Sequence, residues 1–272
     1  MSDIAVVYMV AGISSRFGGK IKQFAKVGPE GETLIEYSLK QALTAGFTKI
    51  IFIVGNKTEK PFKEMFGDSY DGIPIYYALQ SYDPSERDRP WGTVDAVCAA
   101  KDLIDCPFVV CNGDDIYGEN TFKTMVGHIR ESSECASIGY KLIDVLPDGG
   151  GNHNRGIFVV DESGYVKDLK ENFGILKSDL GASGFNENSP CSTNFFSLGS
   201  EVVGFLNEKL EKFKAENTSD RNVECLLPDE LSNLIKEGKI VMKLYETPDK
   251  WIGVTNPEDE EIVREKLKSN SF

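Results

Sequence analysis

The amino-acid sequence predicts an α/β fold with a Rossmann-like, mostly parallel mixed sheet flanked by helices. Three observations carry that prediction. Apolar runs alternate with stretches of helical period through the first half of the chain. A Gly/Ser-rich loop follows the first apolar run. After about residue 133, short apolar runs are joined instead by Gly- and Asn-rich turns. Strands separated by helices imply βαβ units, because parallel strands need a crossover that carries the chain back to its starting edge.

In order, residues 4–10 read as a buried strand and residues 11–19 as the loop after it. Residues 33–45 place Leu34, Ile35, Leu39, Ala42 and Leu43 at helical spacing, and Gly46 suits the helix end. Residues 49–54 form a second strand, 59–66 a helix and 75–79 a third strand. Residues 93–103 are helical with Thr93 at the cap, and 107–111 make a fourth strand. Strands are then expected at 135–142, 156–160, 166–169 and 193–198, with a Gly/Asn-rich turn at 148–154. Helices return at 201–214 and 229–237, strands at 240–245 and 250–254, and a helix closes the chain at 257–268. Pro257 and the acidic residues after it suit a helix start.

The chain has 272 residues and a formal charge of −13. An acidic balance excludes a nucleic-acid binder, whose footprint should be basic. It leaves room for a phosphorylated small molecule, since a few cations can dominate one cleft. With no leader at the start and no apolar run near 18 residues, the expectation is a cytoplasmic protein without a membrane partner, with room for a homo-oligomer. Six scattered cysteines lack any C-x-x-C pair and read as free thiols. Only His128 and His153 are available as imidazoles, so the chemistry should not need one.

The loop Val10-Ala11-Gly12-Ile13-Ser14-Ser15-Arg16-Phe17-Gly18-Gly19-Lys20-Ile21-Lys22-Gln23 carries most information. It follows a buried strand, at the carboxyl edge where open α/β sheets bind ligands. Its glycines permit close backbone approach, and Arg16, Lys20 and Lys22 supply cations for a triphosphate. Five residues separate Gly12 from Gly18 and Ile21 follows Lys20, so this is not a Walker A loop. Asp114 and Asp115 follow the fourth strand, where a carboxylate facing a triphosphate would ligate Mg²⁺. Gln80 ends the third strand, where its amide can donate and accept toward a pyrimidine edge or else face solvent. Gly92 and Thr93 open a helix whose N–H groups could meet a base or phosphate. Arg87 and Arg89 fit either a triphosphate contact or a solvated loop.

Ala-Gly-x-x-[Ser/Thr]-Arg after the first strand, with a Lys a few residues on, resembles the sugar-phosphate nucleotidyltransferases, in particular their short single-domain branch. The resemblance continues at Pro90-Trp91-Gly92-Thr93-Val94-Asp95-Ala96-Val97 and at Asn112-Gly113-Asp114-Asp115-Ile116-Tyr117-Gly118. It ends at Lys250-Trp251-Ile252-Gly253-Val254-Thr255-Asn256-Pro257-Glu258-Asp259. Two departures are Ser14, where the family has glycine, and Ile21 before Lys22, where many relatives have Pro.

The resemblance implies a GT-A-like nucleotidyltransferase architecture and one domain over residues 1–272, with a nucleotide-binding half (1–132) and an acceptor-binding half (133–272). It implies Arg16 and Lys22 as catalytic cations, with Lys20 the alternative to Lys22. Ala11, Gly12, Ser14, Ser15, Gln80, Gly92 and Thr93 would bind the nucleotide, and Gly156, Glu171 and Asn194 the acceptor. Mg²⁺ would sit on Asp114, with Asp115 the alternative, and on Asp249, which also fits a plain turn. The implied reaction joins a nucleoside triphosphate, with a pyrimidine base, to a sugar 1-phosphate and releases pyrophosphate. Its rivals are a cytidylyltransferase for a polyol or amino-alcohol phosphate, a glycosyltransferase, and a catalytically silent nucleotide-binding subunit. A phosphate monoester is mostly anionic at neutral pH, so no base is required.

Overall fold

A computed structural model describes residues 2–12, 18–146, 153–180, 184–254 and 259–268. Its strands in the first half are β1 (Ala5–Met9), β2 (Lys49–Val54), β3 (Ser69–Tyr70), β4 (Ile73–Leu79), β5 (Phe108–Asn112) and β6 (Asp115–Ile116). Those that follow are β7 (Cys135–Ile138), β8 (Tyr140–Lys141), β9 (His153–Val160), β10 (Val166–Ile175), β11 (Pro190–Cys191), β12 (Phe196–Leu198), β13 (Met242–Tyr245) and β14 (Ile252–Gly253). The helices are α1 (Leu34–Ala45), α2 (Glu59–Phe66), α3 (Thr93–Ala99), α4 (Glu119–Glu131), α5 (Leu142–Val145), α6 (Val202–Glu216), α7 (Leu227–Lys236) and α8 (Asp259–Lys268).

Eight strands form the central sheet in the order β13-β7-β12-β5-β1-β2-β4-β3. Among the described residues, its only antiparallel pairings run through β12 and β3, so the α/β fold has a mostly parallel mixed sheet flanked by helices. β1 is buried on both faces, as a parallel strand with helices on either side must be. Alternation along it assigns the faces: Val6 and Tyr8 pack with Ile35, Leu39 and Phe52, whereas Ala5 and Val7 pack with Val94, Val97 and Leu206.

The first helix shows how local chemistry sets an element. Thr33 and Glu36 form a reciprocal capping box at the start of α1, and Gly46 ends it at φ +107°. Elsewhere the boundaries moved. Gly92, not Thr93, caps α3, which stops at Ala99 in a further turn. No element was expected at 119–131, yet α4 lies there with Phe122, Met125 and Val126 buried. β10 runs to Ile175, six residues beyond expectation, because it pairs with β9 along most of its length.

The chain direction decides where a ligand can sit. β2 and β4 lie on one side of β1 and β5 on the other, so the loops after β1 and β5 diverge at a topological switch point. A second sheet, β10-β9-β11-β8, comes from the second half of the chain. Residues of β9 and β10 meet the end of β5 around one cavity.

Candidate active site

The end of β5 is tied to β1, since Gly113 N–H donates to Met9 O at 3.1 Å. A side chain at Gly113 would collide with Val10 Cγ1 and stand 3.3 Å from Met9 O, so glycine is what allows this close approach. The turn then delivers Asp114, whose Oδ2 pairs with Lys22 Nζ at 2.9 Å. Lys22 starts a 3-10 turn (Lys22–Phe24) and is the largely buried partner, its side chain 14% exposed against 32% for Asp114. Lys20 is exposed and lines a different groove with Phe24, Pro61 and Arg264. Of the two lysines, it is Lys22 that meets Asp114.

Beside Gly12, an added Cβ would meet nothing within 4 Å among the described residues. Ala11 is half-buried, and its carbonyl would stand 2.8 Å from a Cβ on Gly55. Ser14, Ser15 and Arg16 lie outside the described residues.

Asp115 is buried and held by the Asn112 amide at 2.9 Å and the Tyr117 hydroxyl at 3.2 Å, both on Oδ2. Burial, then the charge of Asp114, pushes its carboxyl up to about 7; Asn112 and Lys22 pull the other way. β6 pairs with β14 so that Gly253 lies opposite Asp115. A Cβ on Gly253 would stand 3.2 Å from Asp115 Oδ1.

Asp249, the start of α3 and the two arginines make contacts within the fold. Asp249 does not line the cavity that Asp115 lines; it accepts from the Thr121 N–H and the Asn120 amide, both at 2.8 Å. It satisfies donors at the first turn of α4, a capping role. Thr93 and the start of α3 are similarly committed: Leu227 N–H donates to Thr93 Oγ1 at 2.7 Å, and Val94 N–H to Cys225 O at 3.1 Å. Gly92 abuts the same segment, since a Cβ there would lie 2.5 Å from Cys225 O. Arg87 is buried, donates to the carbonyls of Arg89, Asp220 and Val223, and stacks 3.5 Å from the Trp91 ring centre. Arg89 pairs with Glu224. These two arginines therefore fasten the 220–224 segment, neither reaching for a phosphate nor lying loose in solvent.

Gln80 is buried at the end of β4, not solvated. Its Nε2 donates to Gly92 O at 3.0 Å and to Asp95 Oδ2 at 2.9 Å. Both partners accept, which fixes the amide's orientation and leaves only its oxygen for a base edge.

The second sheet supplies the other wall. Gly156, Glu171 and Asn194 all line one cavity of about 150 Å³, with Asn112, Asp115, Thr193 and Trp251. Gly156 faces Glu171 across β9 and β10, and a Cβ there would lie 3.2 Å from Leu169 Cδ1 and 3.5 Å from Glu171 Oε2. Burial, then Asp229, holds Glu171 above the usual carboxylate range, against the pull of Arg155. Asn194 has φ +57°, a left-handed backbone that asparagine tolerates better than most residues.

Sequence reasoning missed Arg155. It is the one cation lining this cavity among the described residues, donates to Val145 O at 3.0 Å, and lies 5.5 Å from the Trp251 ring centre. Its neighbour Gly156 was singled out, but a partner 96 positions away leaves no local signal.

Comparison with known proteins gives the family and the fold. An alignment of 167 residues with Agl11 of Haloferax volcanii, a low-salt glycan biosynthesis nucleotidyltransferase, is 28% identical and covers 58% of this chain. It covers 43% of that relative, so the chain matches less than half of the relative's length. A putative glucose-1-phosphate thymidylyltransferase from Bacillus anthracis superposes with TM-score 0.71 at 14% identity, over 97% of this chain and 95% of the other. An apo UDP-glucose pyrophosphorylase gives 0.70 at 15%, covering both chains in full. The inositol-1-phosphate CTP transferase from T. maritima gives 0.67 at 14%, over 98% and 96%. At such identities these structures show a shared fold. The family described as Nucleotidyl transferase matches residues 19–172, more than half of the chain, and the chain belongs to that family.

Proposed function

We propose that the protein joins a nucleoside triphosphate to a sugar 1-phosphate, releasing pyrophosphate and forming a nucleotide sugar. The observation that carries this reading is the junction at the end of β5. Asp114, paired with Lys22, sits between Asn112 and Asp115, which both line the cavity shared by Gly156, Glu171 and Asn194. A cation-bearing loop for a triphosphate thus adjoins a polar cavity for an acceptor.

In the reaction, an oxygen of the acceptor phosphate bonds to the α-phosphorus, and the α–β anhydride bond breaks with pyrophosphate leaving. Positioning and charge stabilisation would supply the rate. Lys22 would stabilise charge on the α-phosphoryl group, and Arg16 would hold the β- and γ-phosphates. Arg155 would take the acceptor's phosphate, and Gln80 would accept a hydrogen bond from the base.

Asp114 suits a divalent cation: its oxygen already holds a positive group, and a second carboxylate, Asp115, follows it. No group of three or more His, Cys, Asp or Glu among the described residues could hold a metal alone. Mg²⁺ takes one or two carboxylates and completes its shell with water and substrate phosphates. When bound there, it would neutralise triphosphate charge.

The second reading is a cytidylyltransferase for a polyol or amino-alcohol phosphate, supported by the likeness to the inositol-1-phosphate CTP transferase. Pyrophosphate release from four nucleoside triphosphates against a set of phosphorylated acceptors separates the two. Sugar 1-phosphates should be the best acceptors; a clear preference for a non-sugar phosphate would replace the first reading by the second.

A further inference from the structure

Thr193 carries an unexplained hydroxyl. The residue lines the cavity and is 8% exposed, yet its Oγ1 finds no hydrogen-bond partner among the described residues. Trp251 Nε1, on the same wall, shares that state, whereas the backbone beside Thr193 is tied. Tyr117 donates to Thr193 O at 3.2 Å, Ser192 N–H donates to Gly156 O at 2.8 Å, and Asn194 N–H donates to Ser192 Oγ at 3.4 Å. The next residue holds the left-handed backbone of Asn194. An unpaired buried hydroxyl is a standing cost to the ligand-free chain, and non-glycine left-handed backbone collects at ligand sites.

The rest of the wall says what would pair with it. Asn112, Asn154, Ser192 and Asn194 present amides and a hydroxyl, Asp115 and Glu171 carboxylates, Arg155 a guanidinium, and Trp251 the single aromatic ring. Quaternary ammonium groups are recognised by several aromatic faces grouped around them. A wall of donors and acceptors with one indole instead matches many hydroxyls.

Resting on the reading above, we propose that Thr193 is a specificity-determining residue for the hydroxyl-bearing body of the acceptor, whose phosphate that reading gives to Arg155. A turn about χ1 brings the threonine hydroxyl from its buried position onto one acceptor hydroxyl, so that binding pairs a group the empty site leaves unpaired.

The test uses the full chain with Thr193→Val, which keeps shape and removes the hydroxyl, and Thr193→Ser, which keeps the hydroxyl. Without ligand, Thr193→Val should melt higher by roughly 2–4 °C. It should raise KM for the best sugar 1-phosphate about five- to tenfold, with KM for the nucleoside triphosphate unchanged; one hydrogen bond to a neutral partner sets that scale. Thr193→Ser should restore the parent's acceptor KM. Single-deoxy analogues of that sugar 1-phosphate, tried on the unaltered protein, give a readout that does not depend on the Val variant folding. One analogue should lose the same factor with the parent and lose nothing further with Thr193→Val.

An acceptor KM unchanged in Thr193→Val, no sensitive deoxy analogue, or phosphocholine as the best acceptor overturns this inference while the transferase reading stands. No turnover of any acceptor with any triphosphate overturns that reading, and this inference with it.

Discussion

At the residue scale the protein places a lysine on the aspartate expected to meet a cation. Lys22→Ala and Arg16→Ala should each lower kcat by about 10²-fold or more, the usual effect of removing one charge-stabilising donor. Turnover within a few-fold of the parent in both variants would remove them from the chemistry. The three aspartates separate by what they touch. Asp114→Asn should fold normally and need much more Mg²⁺, read by Mn²⁺ binding as well as by rate, with Asp115→Asn milder. Asp249→Ala should leave metal binding alone and cost about 1 kcal/mol of stability, the scale of a lost helix cap, because Thr121 and Asn120 lose their acceptor. A larger metal defect in Asp115→Asn than in Asp114→Asn would reverse the assignment. Asp115 also sets a pH signature without metal. Its folded value, about 7, lies above the ordinary aspartate range, so the folded chain binds the proton more readily than the unfolded one. That contribution is present below about pH 4 and is lost as pH rises through 7. Asp115→Asn should therefore gain melting temperature relative to the parent from pH 5 to pH 8, and a constant difference would contradict the shift.

At the element scale, Gln80 joins the end of β4 to the start of α3 through Gly92 O and Asp95. Gln80→Glu should melt lower, since it loses both donated hydrogen bonds and sets a carboxylate against Asp95. The drop should deepen above pH 5 as the new acid ionises; urea melts at two pH values read it. Gln80→Ala should erode discrimination among bases more than triphosphate affinity. The elements around this junction were legible because their signals are local. An apolar run, Thr33 with Glu36, and Gly46 each state an element or its end within a few residues. α4 is legible too, in the spacing of Phe122, Met125 and Val126. The rest needed tertiary contacts. Nothing near Asp249 tells that it meets α4, and nothing near Arg87 tells that residues 220–223 wrap it. Thr93 looked like a helix opening onto a ligand until Leu227 took its hydroxyl.

At the scale of the whole molecule, the site exists only where two sheets meet. β5 brings Asn112 and the aspartates, β9 and β10 bring Gly156 and Glu171, and β14 closes behind Asp115. The net charge of −13 is spread over the chain, while Lys22 and Arg155 mark the two places where phosphate would meet protein. No helix of the described residues is long and apolar enough to cross a membrane. The chain's order, with the loop after β1 and the turn after β5 both at the switch point, is what would let a triphosphate and an acceptor be held together. The most direct measurement is pyrophosphate release with Mg²⁺, one nucleoside triphosphate and one sugar 1-phosphate at a time, with each substrate also omitted. Release should require both substrates, should fall about 10²-fold in Lys22→Ala, and should be at least ten times faster with UTP, dTTP or CTP than with ATP or GTP. That preference is about 1.4 kcal/mol, within reach of hydrogen bonds to a base edge. ATP or GTP as the best donor would contradict the role of Gln80, and release that ignores the acceptor, or none at all, would contradict the transferase itself.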